Sequence, residues 1–362
     1  MKVLHELEGL VHGLHHITLV TSNEEVNRRF YTEVLGLRRV KLTVNQDDIF
    51  HRHLFYANER AETGSAITFF EWPNLPKGTI GLSSPHHLAY AVKSLDALPK
   101  WRSWLLSRGI SVVGPMARDG RNSIYLMDPD GVTVEITKSD ENENITQDYL
   151  DELKREVTVP AQIDSDMRLK SFDHASPVTL NPDVTIRFLS KALGLRSSFK
   201  RANPDEKGVS IVGIGNEEEP DFLRYLASPR APLGEVGTGS VHHIAMAVPD
   251  ESAQHTLLRR LNASGIPNSG VIDRFWFKSL YFRDPDGNLL EIATEGPGYG
   301  TDECPENLGS RLVLAPWLES RRDEIEGALS ELDARNAHTW PPNYPAAPTP
   351  PEALFDLTTT TD

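Results

Sequence analysis

The sequence has one cysteine, Cys304, in 362 residues. No disulfide can form within the chain, so the fold cannot depend on oxidation. It also has no run of 18 apolar residues, and its mean hydropathy is −0.38; a transmembrane helix is excluded. The opening MKVLHELEGLVHG lacks a basic stretch followed by an apolar one, so no secretory signal is expected there and the cytoplasm is the expected compartment. Positive charge is scarce. Lys and Arg number 37 against 52 Asp and Glu, for a net charge of −15. Such a surface repels phosphate backbones and argues against nucleic acid as a partner. What remains is ordinary globular composition, 39% hydrophobic and 25% charged. The length suits two domains.

The dominant pattern is an internal repeat. Residues 86–92 read HHLAYAV and 242–248 read HHIAMAV, an offset of 156. The same offset carries Arg118 onto Arg274, Tyr125 onto Tyr281, Asp128-Pro129-Asp130-Gly131 onto Asp284-Pro285-Asp286-Gly287, and Glu135 onto Glu291. A second pair, HHITLVT at 15–21 and DHASPVT at 173–179, is offset by 158 and carries Leu35-Gly36-Leu37 onto Leu193-Gly194-Leu195. The chain is therefore a duplicated half, and each half holds two units. The four units span roughly 11–72, 82–140, 168–228 and 238–296.

Each unit opens with a short strand at a histidine. An amphipathic helix follows, over Glu24–Leu35, Asp96–Arg108, Asp183–Leu193 and Glu251–Ala263, with Gly36, Gly109, Gly194 and Gly265 where the helices stop. β-rich runs complete the unit, and in units two and four the Asp-Pro-Asp-Gly turn joins the last two strands. The fold class is thus α+β: four βαβββ modules in tandem. A unit of this kind cannot close its own sheet, so pairs combine into two open, barrel-like sheets around a shared concave face. The expected division is 1–140 and 168–300 as two-module domains, 141–167 as linker, and 301–362 as a C-terminal helix near 319–334 with a poorly ordered proline-rich tail from 340.

Strand alternation assigns the faces. Ile244, Met246 and Val248 are large and apolar and belong under the helix, so His243, Ala245 and Ala247 face the cup. By the same rule His16 and Thr18, His87, and the carboxylates Glu135 and Glu291 face inward. The first histidine of each pair, such as His242, points away unless a bulge intervenes. An inward carboxylate on a strand is expensive unless it is paired or bound to metal. Two histidines and one carboxylate with open positions make the facial triad of non-haem Fe(II) oxygenases.

HHITLV at 15–20, FYTEVLGL at 30–37, HHIAMAV at 242–248 and DPDGNLLEI at 284–292 resemble the vicinal oxygen chelate superfamily, which includes glyoxalase I, bleomycin-resistance proteins and extradiol dioxygenases. The resemblance covers about residues 11–296 and is greatest to the hydroquinone-type ring-cleaving dioxygenases. It implies a metal held by His16, His243 and Glu291, with His15, Thr18, His242, Arg274 and Tyr281 around it. The implied cofactor is Fe(II), with Mn(II) also suited, and the implied substrates are an aromatic diol and dioxygen. The resemblance gives Tyr281 the task of orienting or deprotonating the diol, Arg274 that of holding its negative charge, and His242 that of acid or base.

Pairing units one and four makes His16 the first ligand; pairing units three and four, as in the catechol enzymes, makes it His174. If units one and four pair, units two and three pair as well, and His87, Glu135 and His174 form a second triad beside Arg118 and Tyr125. Two rival functions stand beside the dioxygenase. One is a glyoxalase-like lyase or isomerase, with Zn or Ni and a further carboxylate such as Glu71. The other is a metal-free binding protein. His51, His53 and His86 are further candidates for the cavity that nothing in the sequence selects. Phe275, Trp276 and Phe277 suit an apolar pocket or the core. A homo-oligomer is left open.

Overall fold

Short alternating strands and capped helices follow one another as the repeat requires. The computed structural model describes residue 7 and residues 9–336, apart from 119, 140–150, 152–153, 155–156 and 204–207. The tail from 340, expected to be poorly ordered, lies outside the described residues, as does most of the first part of the expected linker.

The first module comprises β1 (Leu14–Thr21), helix α1 (Glu24–Arg29) continued by a wider turn over Phe30–Val34, β2 (Arg38–Asn45), β3 (Asp48–Ala57) and β4 (Ala66–Glu71). The second comprises β5 (His87–Ala91), α2 (Ala97–Leu106), β6 (Val113–Arg118), β7 (Arg121–Met127) and β8 (Thr133–Ser139). The third has β9 (Phe172–Ser176), the short β10 (Val178–Thr179), α3 (Pro182–Leu193), β11 (Arg196–Ala202), β12 (Ser210–Gly215) and β13 (Leu223–Ala227). The fourth has β14 (Val241–Val248), α4 (Glu251–Ala263), β15 (Asn268–Asp273), β16 (Lys278–Arg283) and β17 (Leu289–Thr294). Side chains of Asn23, Asn181 and Asp250 cap the N-termini of α1, α3 and α4. Gly194, at φ 77°, ends α3 in the left-handed conformation that glycine adopts without strain.

Two curled sheets result, each taking one module from each half of the chain. One runs β15-β16-β17-β14-β1-β4-β3-β2 and the other β11-β12-β13-β9-β5-β8-β7-β6. Modules one and four join through antiparallel β1 and β14, and modules two and three through antiparallel β5 and β9. The helix-facing residues form the main core: Ile17, Leu19, Ile244, Met246, Leu290 and Ile292 are all buried there with their counterparts from the other sheet.

The Asp-Pro-Asp-Gly turns fasten the sheets to each other. Asp128 Oδ1 accepts from the backbone N–H groups of Asp130 and Val132, and its other oxygen accepts from Tyr31 of the first module. Asp130 accepts from the hydroxyls of Thr21 and Ser22, at 2.6 Å each. The fourth module repeats the device on the third: Asp284 accepts from Tyr225 at 2.9 Å, and Asp286 from the Thr179 hydroxyl and the Leu180 N–H. After β17 the chain returns to the first module. Lys41, fully buried, bonds Asp302 and Glu303. Helix α5 (Arg322–Asn336) packs Ile325 and Leu329 against Val44, and its Asp333 pairs with Arg52 at 2.7 Å. Among the described residues no helix is long and apolar enough to cross a membrane.

Candidate metal centre

Three neighbouring strands, β1, β14 and β17, bring His16, His243 and Glu291 together. Thr18 pairs with His243, and Ala245 pairs with both His16 and Glu291, so the three side chains leave the same face of adjacent strands. His16 Nε2 lies 3.3 Å from His243 Nε2 and 3.3 Å from Glu291 Oε2, and His243 Nε2 lies 2.9 Å from the same oxygen. Three ligand atoms held about 2.0–2.2 Å from one ion at near right angles are about 3 Å apart, the spacing found. All three residues are buried. Glu291 Oε1 accepts from Ser279, but Oε2 accepts no hydrogen bond despite the two nearby ring nitrogens. A buried carboxylate oxygen aimed at two imidazole nitrogens without a directed proton between them suits a cation. Burial pushes the Glu291 carboxyl up, but His16 and His243 outweigh it and hold it well below the usual range. The donor set fits a divalent transition metal ion.

Strand alternation is broken at His15 and at His242, and the reason is local. Leu14 pairs with Met246 while His16 pairs with Ala245; Thr18 pairs with His243 while Leu19 pairs with Val241. His15 and His242 are thus the extra residues of two bulges, and a bulge re-aims the side chains around it. His242, expected to point away from the cup, lines the cavity. Its Nδ1 is 2.8 Å from His243 Nδ1, and His15 Nδ1 is 2.8 Å from His16 Nδ1. A metal on Nε2 of His16 and His243 leaves the proton on Nδ1 of each, donated to the bulged neighbour. His242 then carries its own proton on Nε2. Burial, followed by the neighbouring His243, pushes His242 down to about 3, so it is neutral at pH 7.

The centre opens into a cavity of about 390 Å³. Tyr281 pairs with Glu291 across β16 and β17 and lines it, its ring 5.5 Å from that of His243. Burial and the Glu291 charge push its phenol up, so it stays protonated. Arg274 also lines the cavity. Its guanidinium bonds both oxygens of Asp47, at 3.2 and 2.7 Å, and lies 5.7 Å from the Tyr281 ring centre. Trp276 and Phe277 form walls, with the Phe277 ring 5.2 Å from that of His16. Of the unselected histidines, His53 lines the cavity and bonds Thr68, which bonds Thr18. His51 instead pairs with Asp48, and His86 belongs to the other sheet's cluster. Glu71 does not reach the centre. It is buried under Arg52 at 2.8 Å and accepts from the Glu24 N–H.

Asn45, Gln46, Asp47, Phe70 and Trp72 also line the cavity and were not singled out above. Their only signal is position: β2 and β4 flank the same concave face, which sets Phe70, two residues beyond Thr68, on the side of Thr18. His174, the alternative first ligand, is not in this group. It lies with His87 and Glu135 in the other sheet, where the three form a second cluster able to hold a metal ion.

The chain matches the Glyoxalase/Bleomycin resistance protein/Dioxygenase superfamily over residues 13–136 and 171–292. It is 31% identical over 325 residues to MhqA of Bacillus subtilis, which carries the name of a ring-cleaving dioxygenase; the match covers 89% of this chain and 99% of that one. It is 28% identical over 336 residues to the chlorohydroquinone/hydroquinone 1,2-dioxygenase of Sphingobium indicum, covering 90% and 98%. A crystal structure from Bacillus subtilis, named as a dioxygenase, superposes with a TM-score of 0.75 at 31% identity, covering 88% of this chain and 96% of that one. The chain belongs to this superfamily.

Proposed function

We propose that this member of the superfamily is a ring-cleaving dioxygenase that opens an aromatic diol, with Fe(II) held by His16, His243 and Glu291. One observation carries the reading. A complete two-histidine, one-carboxylate centre opens into an aromatic-walled cavity of about 390 Å³, within the usual range for small-ligand pockets. The Sphingobium relative is named for hydroquinones, which makes hydroquinone the first diol to test. Fe(II) supplies a positive charge for deprotonated diol oxygens and a path for electrons from diol to dioxygen; Mn(II) suits the same donors.

The remaining residues divide the other work. Phe70, Trp72, Trp276 and Phe277 enclose the ring and exclude water. Tyr281, kept protonated and facing the cavity, donates to a diol oxygen. Arg274, anchored by Asp47, faces the negative charge of the deprotonated diol. His242 donates from Nε2, because its Nδ1 is taken by His243. The position of Glu71, bound to Arg52, weighs against a glyoxalase-type centre with an additional carboxylate. The reducing cytoplasm suits a fold with a single cysteine.

Protein purified without air and loaded with Fe(II) should consume oxygen on addition of hydroquinone or catechol. A centre that retains Zn or Ni and gives no diol-dependent oxygen uptake with iron would contradict the reading.

A further inference from the structure

The proposed chemistry leaves the second cluster unused, yet hydrogen bonds fix its side chains as they fix those of the first. We propose that His87, Glu135 and His174 bind a divalent metal ion of their own, in a narrow site that performs no turnover. His87 Nε2 is 3.1 Å from Glu135 Oε2, His174 Nε2 is 3.4 Å from it, and the two ring nitrogens are 3.3 Å apart. These spacings resemble those of the first centre, and all three residues are buried; here, however, His87 Nε2 hydrogen-bonds Glu135 Oε2 and lies 3.1 Å from the Ser176 hydroxyl, contacts that a bound ion would replace. Ser123 holds Glu135 Oε1, as Ser279 holds Glu291, and turns Oε2 toward the rings.

What orients the histidines differs. Ala89 pairs with His174 while Tyr90 pairs with Phe172, so Asp173 is the bulged residue here, where the first centre has His15. Its carboxylate accepts from His174 Nδ1 at 2.7 Å and is itself held by Arg121. A carboxylate on the far nitrogen fixes the tautomer that presents Nε2 and makes the ring a better ligand. His86 does the corresponding work on His87, Nδ1 to Nδ1 at 2.8 Å.

The space in front is about 20 Å³, room for about one water. A metal with three protein ligands and one water fits; an aromatic diol does not. Arg224 stands where the first centre has Thr68 and, with Arg118, lines this cavity. Three guanidiniums, Arg118, Arg121 and Arg224, face three carboxylates, Glu135, Asp173 and Asp221, so a divalent ion here retains excess positive charge.

The test counts metal on the intact chain, reconstituted without air with Fe(II) and separately with redox-silent Zn(II), then desalted. Wild type should carry two ions per chain, and Glu291→Gln and Glu135→Gln one each. A chelator should strip wild type in two phases, the slow one lost in Glu135→Gln and kept in Glu291→Gln. One ion per wild-type chain, with none left in Glu291→Gln, overturns the proposal; the cluster is then a metal-free hydrogen-bond network. Should Glu135→Gln not fold, wild type and Glu291→Gln still decide. The count does not rest on the dioxygenase reading, because Glu291→Gln reports on the second cluster alone.

Discussion

His16, His243 and Glu291 on one sheet, and His174, His87 and Glu135 on the other, occupy equivalent places in a duplicated chain, yet one set faces about 390 Å³ and the other about 20 Å³. The strand pairings are the same. The difference lies in what the strands carry beside the ligands. Phe277 becomes Arg121, His53 becomes Ile211, Thr68 becomes Arg224, and His15 becomes Asp173. On one side these neighbours leave an apolar, aromatic-walled chamber. On the other they lock guanidiniums and carboxylates into the equivalent space. The triads come with the strands, whereas the proposed turnover requires room and a surface that an aromatic ring can wet.

The comparison breaks most sharply at the carboxylates. Glu291→Ala should abolish diol-dependent oxygen uptake, while Glu135→Ala should leave it within about threefold of wild type; equal losses would mean that the two centres work together. Next comes the tyrosine pair. Tyr281→Phe removes a proton donor beside the diol and should lower kcat by about 10²-fold or more. Tyr125→Phe, facing the small cavity, should leave kcat unchanged. Arg274→Ala removes a charge-assisted contact and should lower kcat/KM by roughly 10–100-fold with metal content unaltered.

The smallest effect concerns what the halves share. Burial pushes the Asp284 carboxyl up to about 6 and the Asp128 carboxyl up to about 7. Both folded-state values lie above the ordinary value of about 3.9. The folded chain therefore holds these protons longer than the unfolded one. The stability they contribute is full below about pH 4 and lost as the pH rises through 6 and 7. Asp284→Asn and Asp128→Asn should each gain stability relative to wild type between pH 4 and pH 7, as read from urea unfolding. A gap that stays constant with pH would contradict the buried, raised carboxyls.

The repeat made the fold legible. HHLAYAV against HHIAMAV and the paired Asp-Pro-Asp-Gly turns locate four modules, and alternation from Ile244 and Leu290 sets His243 and Glu291 on the inner face. The role of His242 was not legible from alternation, because a bulge obeys the partner strand's register, which the sequence does not contain. The cavity walls were hidden for a related reason. Asp47 meets Arg274 from 227 residues away, and Phe70 and Trp72 flank His242 from another module. The inequality of the two centres was hidden too, since the triads are identical as residue types. It becomes readable only once Arg121, Asp173 and Arg224 are placed around the second.

The central claim, that only one of two equivalent triads opens a ring, is tested most directly by oxygen consumed per hydroquinone added to anaerobically purified, Fe(II)-loaded wild type, Glu291→Ala and Glu135→Ala. The account predicts one dioxygen per ring opened in wild type and in Glu135→Ala, and none in Glu291→Ala. Uptake that survives in Glu291→Ala, or that vanishes in a folded, iron-bearing Glu135→Ala, would contradict it.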